Sequence, residues 1–209
     1  MRGGVIAKVI ASKASSHPVG TLVNCFAGWT ELAILPAKDV ETLNIPSNGR
    51  VTDGLGVLGM TGLTAYFGLL EVGQVKAGDF VVVSGAAGAT GSVVCQIAKL
   101  KGAKVLALAG SEEKVKWLKE MGCDEALNYK DADFKKKFKE ATPDLIDVFF
   151  DNVGGEILEA ALSRAKIHSR FVICGAISQY NDPNPKGPRV SAEISFLVLW
   201  NFMKGGNAD

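Results

Sequence analysis

No CxxC pair occurs in this sequence, and its four cysteines, Cys25, Cys95, Cys123 and Cys174, stand far apart. Neither of the two histidines, His17 and His168, lies near a cysteine, so neither a zinc knuckle nor a disulfide framework is signalled. Reduced thiols in the cytoplasm are the expectation. Charge of one sign is also missing: 23 basic residues face 22 acidic ones. That balance leaves no footprint for nucleic acid and no basic patch for a membrane surface. The run Lys135-Lys136-Lys137 falls in helical spacing and reads as a solvated helix face. Long apolar runs are absent as well. The longest, Ile194 to Phe202, contains Ser195 and Asn201 and is too short to span a bilayer. At the N-terminus, Lys8 breaks the apolar run before it could serve as a signal core, so this segment reads as a strand.

What is present is a core: 47% of the 209 residues are hydrophobic, enough for one large domain or one domain with part of a second. Two strand-like segments open the chain, Gly4 to Lys13 and Thr21 to Leu35, separated by the turn His17-Pro18-Val19-Gly20. Beyond Ile45-Pro46-Ser47-Asn48-Gly49 the pattern changes to alternating helices and strands. Helices are predicted over 60–72, 89–100, 112–121, 132–140 and 155–165, and strands over 79–84, 104–109, 125–129, 146–151 and 170–176. Alternation of this length implies an α/β fold, a doubly wound parallel sheet covered on both faces. The first strands belong to a separate architecture, with the boundary near Ile45.

The stretch Val81 to Val94 runs from strand to helix through Gly85, Gly88 and Gly91, a G-x-x-G-x-x-G turn. Its glycines permit a tight turn, close approach to a pyrophosphate and close strand–helix packing, and the helix N-terminus offers unpaired N–H groups to phosphates. A small-residue turn made only for packing is the competing reading. The second strand of the alternation ends in Ala109-Gly110-Ser111, without the carboxylate that would hold an NAD ribose 2′-hydroxyl. Lys114 falls one helical turn further on, within reach of a 2′-phosphate, which favours NADP(H). Glu112 and Glu113 suit the first turn of a helix.

Several phrases, taken together, resemble one family: Gly59-Met60-Thr61-Gly62-Leu63-Thr64-Ala65-Tyr66, the glycine turn, Ala109 to Val115, Phe150-Asp151-Asn152-Val153-Gly154-Gly155, and Cys174-Gly175-Ala176-Ile177-Ser178-Gln179-Tyr180. They are similar to the zinc-independent medium-chain dehydrogenase/reductases, specifically the prostaglandin reductase and alkenal double-bond reductase group. The resemblance extends to about Asn181. It implies a Rossmann domain with a GroES-like catalytic domain, and hydride transfer from NADPH to the β-carbon of an α,β-unsaturated aldehyde or ketone. By resemblance, Gly88, Ala89, Thr90 and Gly91 cradle the pyrophosphate, and Lys114 and Tyr129 serve the adenosine phosphate side. Asn152 stands beside the cofactor, Cys174, Gly175, Ala176, Ile177 and Ser178 pass along its nicotinamide half, and Met60 and Thr64 lie near the nicotinamide and phosphates. Tyr180 matches the active-site tyrosine and is the candidate hydrogen-bond donor to the substrate carbonyl. Its alternative role is to cap its own turn.

Met60 stands where zinc-dependent relatives place a cysteine ligand, so no catalytic metal is expected. A small enal or enone is the expected substrate, and a homodimer is left open. Against the family pattern, residues 1–45 read as a partial GroES-like domain and 46–209 as an incomplete Rossmann domain. Five strands are counted in it, the last is lacking, and a helix-like segment spans Val190 to Lys204. Phe196, Leu197, Leu199, Trp200 and Phe202 are expected to lack full packing, which marks an interaction surface or poor solubility. The alternatives are an NADP-binding remnant with little or no turnover and a quinone reductase of the same superfamily.

Overall fold

Segments whose apolar residues recur every second position pair into sheets here, and those with a 3.6-residue period cover them. The computed structural model describes residues 3–184 and the backbone of 197–199. The chain forms two compact units, Met1–Leu63 and Thr64–Asp209.

The first unit carries a three-stranded antiparallel sheet, β1 (Val5–Lys8), β2 (Leu22–Cys25) and β3 (Val40–Thr42), in the order β1-β2-β3. Both opening strands are shorter than their composition predicts. β1 ends at Lys8, and beyond the last pairing, at Val9, the Ser12 side chain donates to Ala14 O and accepts the Ala14 N–H. Beyond β2, Gly28 turns through a positive φ and the Thr30 hydroxyl donates to Leu32 O, so 26–35 leaves the sheet. β3 went unpredicted because three residues with one partly buried side chain carry no readable alternation.

The second unit is built on a six-stranded parallel sheet. Its strands are β4 (Phe80–Val83), β5 (Lys104–Ala109), β6 (Glu125–Asn128), β7 (Ile146–Asp151), β8 (Ala165–Ile173) and β9 (Leu197–Leu199), in the order β6-β5-β4-β7-β8-β9. This is the dinucleotide-fold order, with its reversal point between β4 and β7. The sixth strand corrects the count of five. It lies inside the segment expected to be helical, where a continuous apolar run gives no periodicity to separate strand from helix. The rest of that segment, with Phe196, Trp200 and Phe202, lies outside the described residues, as do the side chains of Leu197 and Leu199.

Helix α1 (Met60–Phe67) runs on into a π turn, Gly68–Val72. There follow α2 (Ala89–Leu100), α3 (Glu112–Glu120), α4 (Phe134–Ala141) and α5 (Gly155–Leu162). Gly122, just past α3, has a φ of 105° and ends that helix as predicted. Alternate residues of each strand enter opposite cores. Val81, Val83, Val105, Ala107, Val148 and Val172 share one core with side chains of α1, the π turn, α2 and α3 on one face. Phe80, Val82, Leu106, Leu108, Phe149 and Phe171 meet α4 and α5 on the other. Among the described residues no helix is long and apolar enough to cross a membrane.

Candidate cofactor-binding site

The carboxyl ends of β4 and β7 border the crevice where a doubly wound sheet takes its ligand. β4 is buried on both faces and delivers its chain to Gly85, whose φ of +58° lies in the left-handed region. A Cβ at Gly85 would stand 3.3 Å from both Asn152 Cβ and Val153 Cγ2. Gly91 packs so closely on the turn that a Cβ would come within 2.8 Å of Ala86 Cα. Gly88 precedes α2 in extended conformation and supplies no side-chain cap. The N–H groups of Ala89, Thr90 and Gly91 therefore begin the helix with no carbonyl one turn before them. Gly88 and Ala89 are exposed, so the positive end of α2 is open to an anion.

The tip of β5 is bare, as its sequence implies. A Cβ on Gly110 would lie 2.7 Å from the Tyr129 hydroxyl and 3.3 Å from Lys130 Cε, so both side chains lie across the strand end. Ser111 caps α3. Glu112 accepts from the Asn128 side-chain amide at 3.0 Å, a structural partner that draws its carboxylate into the β6 edge. Lys114 is exposed on the first turn of α3. Neither Lys114 nor Lys130 forms an ion pair among the described residues. The Tyr129 phenol and Lys130 thus lie over a strand tip that carries no acid, and Lys114 follows on the first turn of α3. Lys130 was not singled out from the sequence. Its signal was position alone, directly after Tyr129 at the end of β6.

A second group gathers past β7 and β8. The Asn152 side chain donates to Ser84 O at 2.8 Å. The loop from Cys174 lies against the turn after β7, with Ser178 donating from its hydroxyl to Val153 O at 2.6 Å. Cys174 is partly buried, and burial, followed by the charge of Asp151, pushes its thiol up to about 11. Gly175 leaves no room for a side chain, since a Cβ would meet the Tyr180 hydroxyl at 2.8 Å. Tyr180 is 67% exposed, and its oxygen accepts the Ala176 N–H at 3.3 Å. The turn-capping role is therefore present, and the hydroxyl hydrogen stays available to donate. Ala176 precedes and Ile177 opens a short 3-10 turn, with Ile177 exposed. Thr64 belongs to this unit and Met60 to the first, one helical turn apart on α1. The described residues contain no group of three metal-ligating side chains.

These residues fit a dinucleotide phosphate: a cradle that a Cβ would fill, an uncapped helix end and cations at a bare strand tip. Residues 89–202 match the family model described as zinc-binding dehydrogenase. The chain is 49% identical over 197 residues to prostaglandin reductase 1 of Bos taurus, covering 93% of this chain and 60% of that protein. It is 39% identical over 189 residues to (+)-pulegone reductase of Mentha piperita, covering 87% of this chain and 54% of that one. Among solved structures, CurA from Vibrio vulnificus in complex with NADPH aligns with a TM-score of 0.83 at 40% identity, over 90% of this chain and 56% of CurA. The chain thus spans about 60% or less of the length of these relatives.

Proposed function

Since the chain belongs to the zinc-binding dehydrogenase family, and within it to the zinc-independent prostaglandin reductase group, we propose that it binds NADPH and reduces the C=C bond of α,β-unsaturated aldehydes and ketones. One observation carries the cofactor assignment: the bare tip of β5, with Tyr129 and Lys130 lying over Gly110 and Lys114 one turn beyond. A 2′-phosphate supplies the charge that three such donors lack, whereas an NAD ribose would find no acid to accept its hydroxyl.

When bound, NADPH supplies a hydride to the β-carbon of the enone. The protein contributes binding, orientation and charge stabilisation. Backbone N–H groups of Ala89, Thr90 and Gly91 hold the pyrophosphate at the α2 N-terminus. Lys114, Tyr129 and Lys130 hold the adenosine end. Asn152 and the 174–178 loop line the nicotinamide side. Negative charge grows on the carbonyl oxygen as the β-carbon is reduced, and the Tyr180 O–H, not spent within its own loop, donates to that oxygen. The α-carbon then takes its proton from solvent.

The test is a titration of the chain with NADPH and with NADH, followed by an enone. Trp117 stands three residues beyond Lys114 on α3, so its fluorescence is a convenient signal. NADPH should bind more tightly than NADH. Lys114→Ala should weaken NADPH by about tenfold, the order expected for one charge-assisted contact, and leave NADH unchanged. Equal or tighter NADH binding in the wild type would sink the assignment. Consumption of NADPH on adding the enone, reduced by Tyr180→Phe, supports the reaction.

A further inference from the structure

Asp151 ends β7 with its side chain fully buried and, among the described residues, with no cation paired to it. Its Oδ1 accepts the Ser84 hydroxyl at 2.6 Å and the N–H groups of Val153 and Gly154, each at 3.0 Å. Its Oδ2 accepts from Gly154 again at 3.1 Å. Ser84, also fully buried, extends the connection: its Oγ accepts the Asn152 N–H at 2.8 Å. The ends of β4 and β7, which border the crevice, are therefore tied by side chains as well as by the sheet.

The turn held in this way is in turn the support for the 174–180 loop. Asp151 O accepts the N–H groups of Cys174 and Gly175 at 2.9 and 3.0 Å. Asn152 O accepts from Ile177 at 3.4 Å, and Val153 O accepts the Ser178 N–H at 3.1 Å and its hydroxyl at 2.6 Å. Three successive carbonyls thus form a row on which the loop carrying Tyr180 is laid. A buried carboxylate without a cation is a costly way to fill space, and an apolar side chain would cost less. Three donors converge on its Oδ1, though, and one of them, the Gly154 N–H, is shared with Oδ2, so a group that accepts at both positions fits the turn. An asparagine would turn an NH₂ toward one of them.

We propose that Asp151, through Ser84 and the 152–154 turn, is the positioning residue for the Tyr180 loop. Its consequence for catalysis rests on the reading of Tyr180 given above, but the positioning itself is measurable on the cofactor-free chain. The variants are Asp151→Asn and the milder Ser84→Ala, which carries the test should the first not fold. Amide hydrogen exchange of Cys174, Gly175, Ile177 and Ser178 should accelerate at least tenfold, while the amides of β5 stay within twofold of wild type. With 3-fluorotyrosine in the three tyrosine positions, the ¹⁹F resonance of Tyr180 should shift and those of Tyr66 and Tyr129 should not. Unchanged protection at 174–178, or acceleration spread equally through β5, overturns the proposal. Failure of the wild-type chain to bind NADPH would refute the functional proposal alone, because neither readout here requires the cofactor.

Discussion

Burial first, and then the carboxylate of Asp151, push the Cys174 thiol up to about 11, although this cysteine is the one not fully buried. At pH 8 about a thousandth of it is thiolate, and the thiolate is the nucleophile. Iodoacetamide at that pH should therefore label the native chain about a hundredfold more slowly than free cysteine, with mass spectrometry reading the Cys174 peptide. Fast labelling would show that the thiol is less buried, or further from Asp151, than it stands here. The residue scale is also where sequence reasoning was strongest and weakest at once. Gly85, Gly91 and the bare Gly110 were legible because each is defined by a missing side chain in a known position. Ser84 and Asp151 were not, since a serine after a strand and an acid before a turn are ordinary until burial and convergent donors are seen. Tyr180 could be found by its phrase, but its bond to Ala176 depends on a loop conformation that no spacing specifies.

At the scale of elements, Asp124 fastens the start of β5 to α2. It accepts from Lys99 Nζ at 2.7 and 2.8 Å and from the Val105 N–H at 2.7 Å. Partial burial raises its pKa, but the Lys99 hydrogen bond, the Val105 N–H and the Lys99 charge together outweigh this and leave it below the usual carboxylate value. A lowered folded value means that the stabilisation is present above the unfolded pKa and is lost as pH falls through the folded one. Asp124→Asn should thus lower stability at pH 7 by about 0.5 kcal/mol, a figure reduced for solvent screening of a partly exposed pair. Below about pH 4 the difference from wild type should shrink, as urea unfolding at the two pH values would measure. An equal deficit at both would remove the charge from the explanation. Element boundaries were legible where pattern and caps agreed: α2 and β5 fall on the residues predicted. β8 begins at Ala165, five residues before its predicted start, because Ile167 points outward, His168 takes a φ of 64° and the pairing with β7 shifts register there. That irregularity erased the alternation a reader depends on. α5 stops at Leu162, and just past it the Arg164 N–H bonds three residues back, to Ala161 O at 3.0 Å, in place of the four-residue pattern.

Over the whole molecule the two units differ in how much core they own. Val23 and Cys25 are the buried hydrophobic residues described in Met1–Leu63, while Phe26, Trp29, Leu32 and Ile34 are exposed there. Thr64–Asp209 holds two extensive clusters, one on each face of its sheet. Opening free energy follows buried apolar contact, so exchange should be uneven along the chain. Amides of β1 to β3 should exchange at least a hundredfold faster than those of β4 and β5 in the same sample. Comparable protection would mean that the first unit draws stability from elsewhere. The two clusters of the second unit are themselves unlike. The one beneath α2 and α3 contains seven alanines and one phenylalanine, and the one beneath α4 and α5 one alanine and five phenylalanines. Their tolerance to change is consequently of opposite kind. On the alanine side, which underlies the glycine turn, an added methyl group has nowhere to go and must push a helix off the sheet. On the phenylalanine side a shortened side chain leaves a hole. A substitution that adds volume is therefore most costly beneath the phosphate cradle, and one that removes it is most costly on the opposite face.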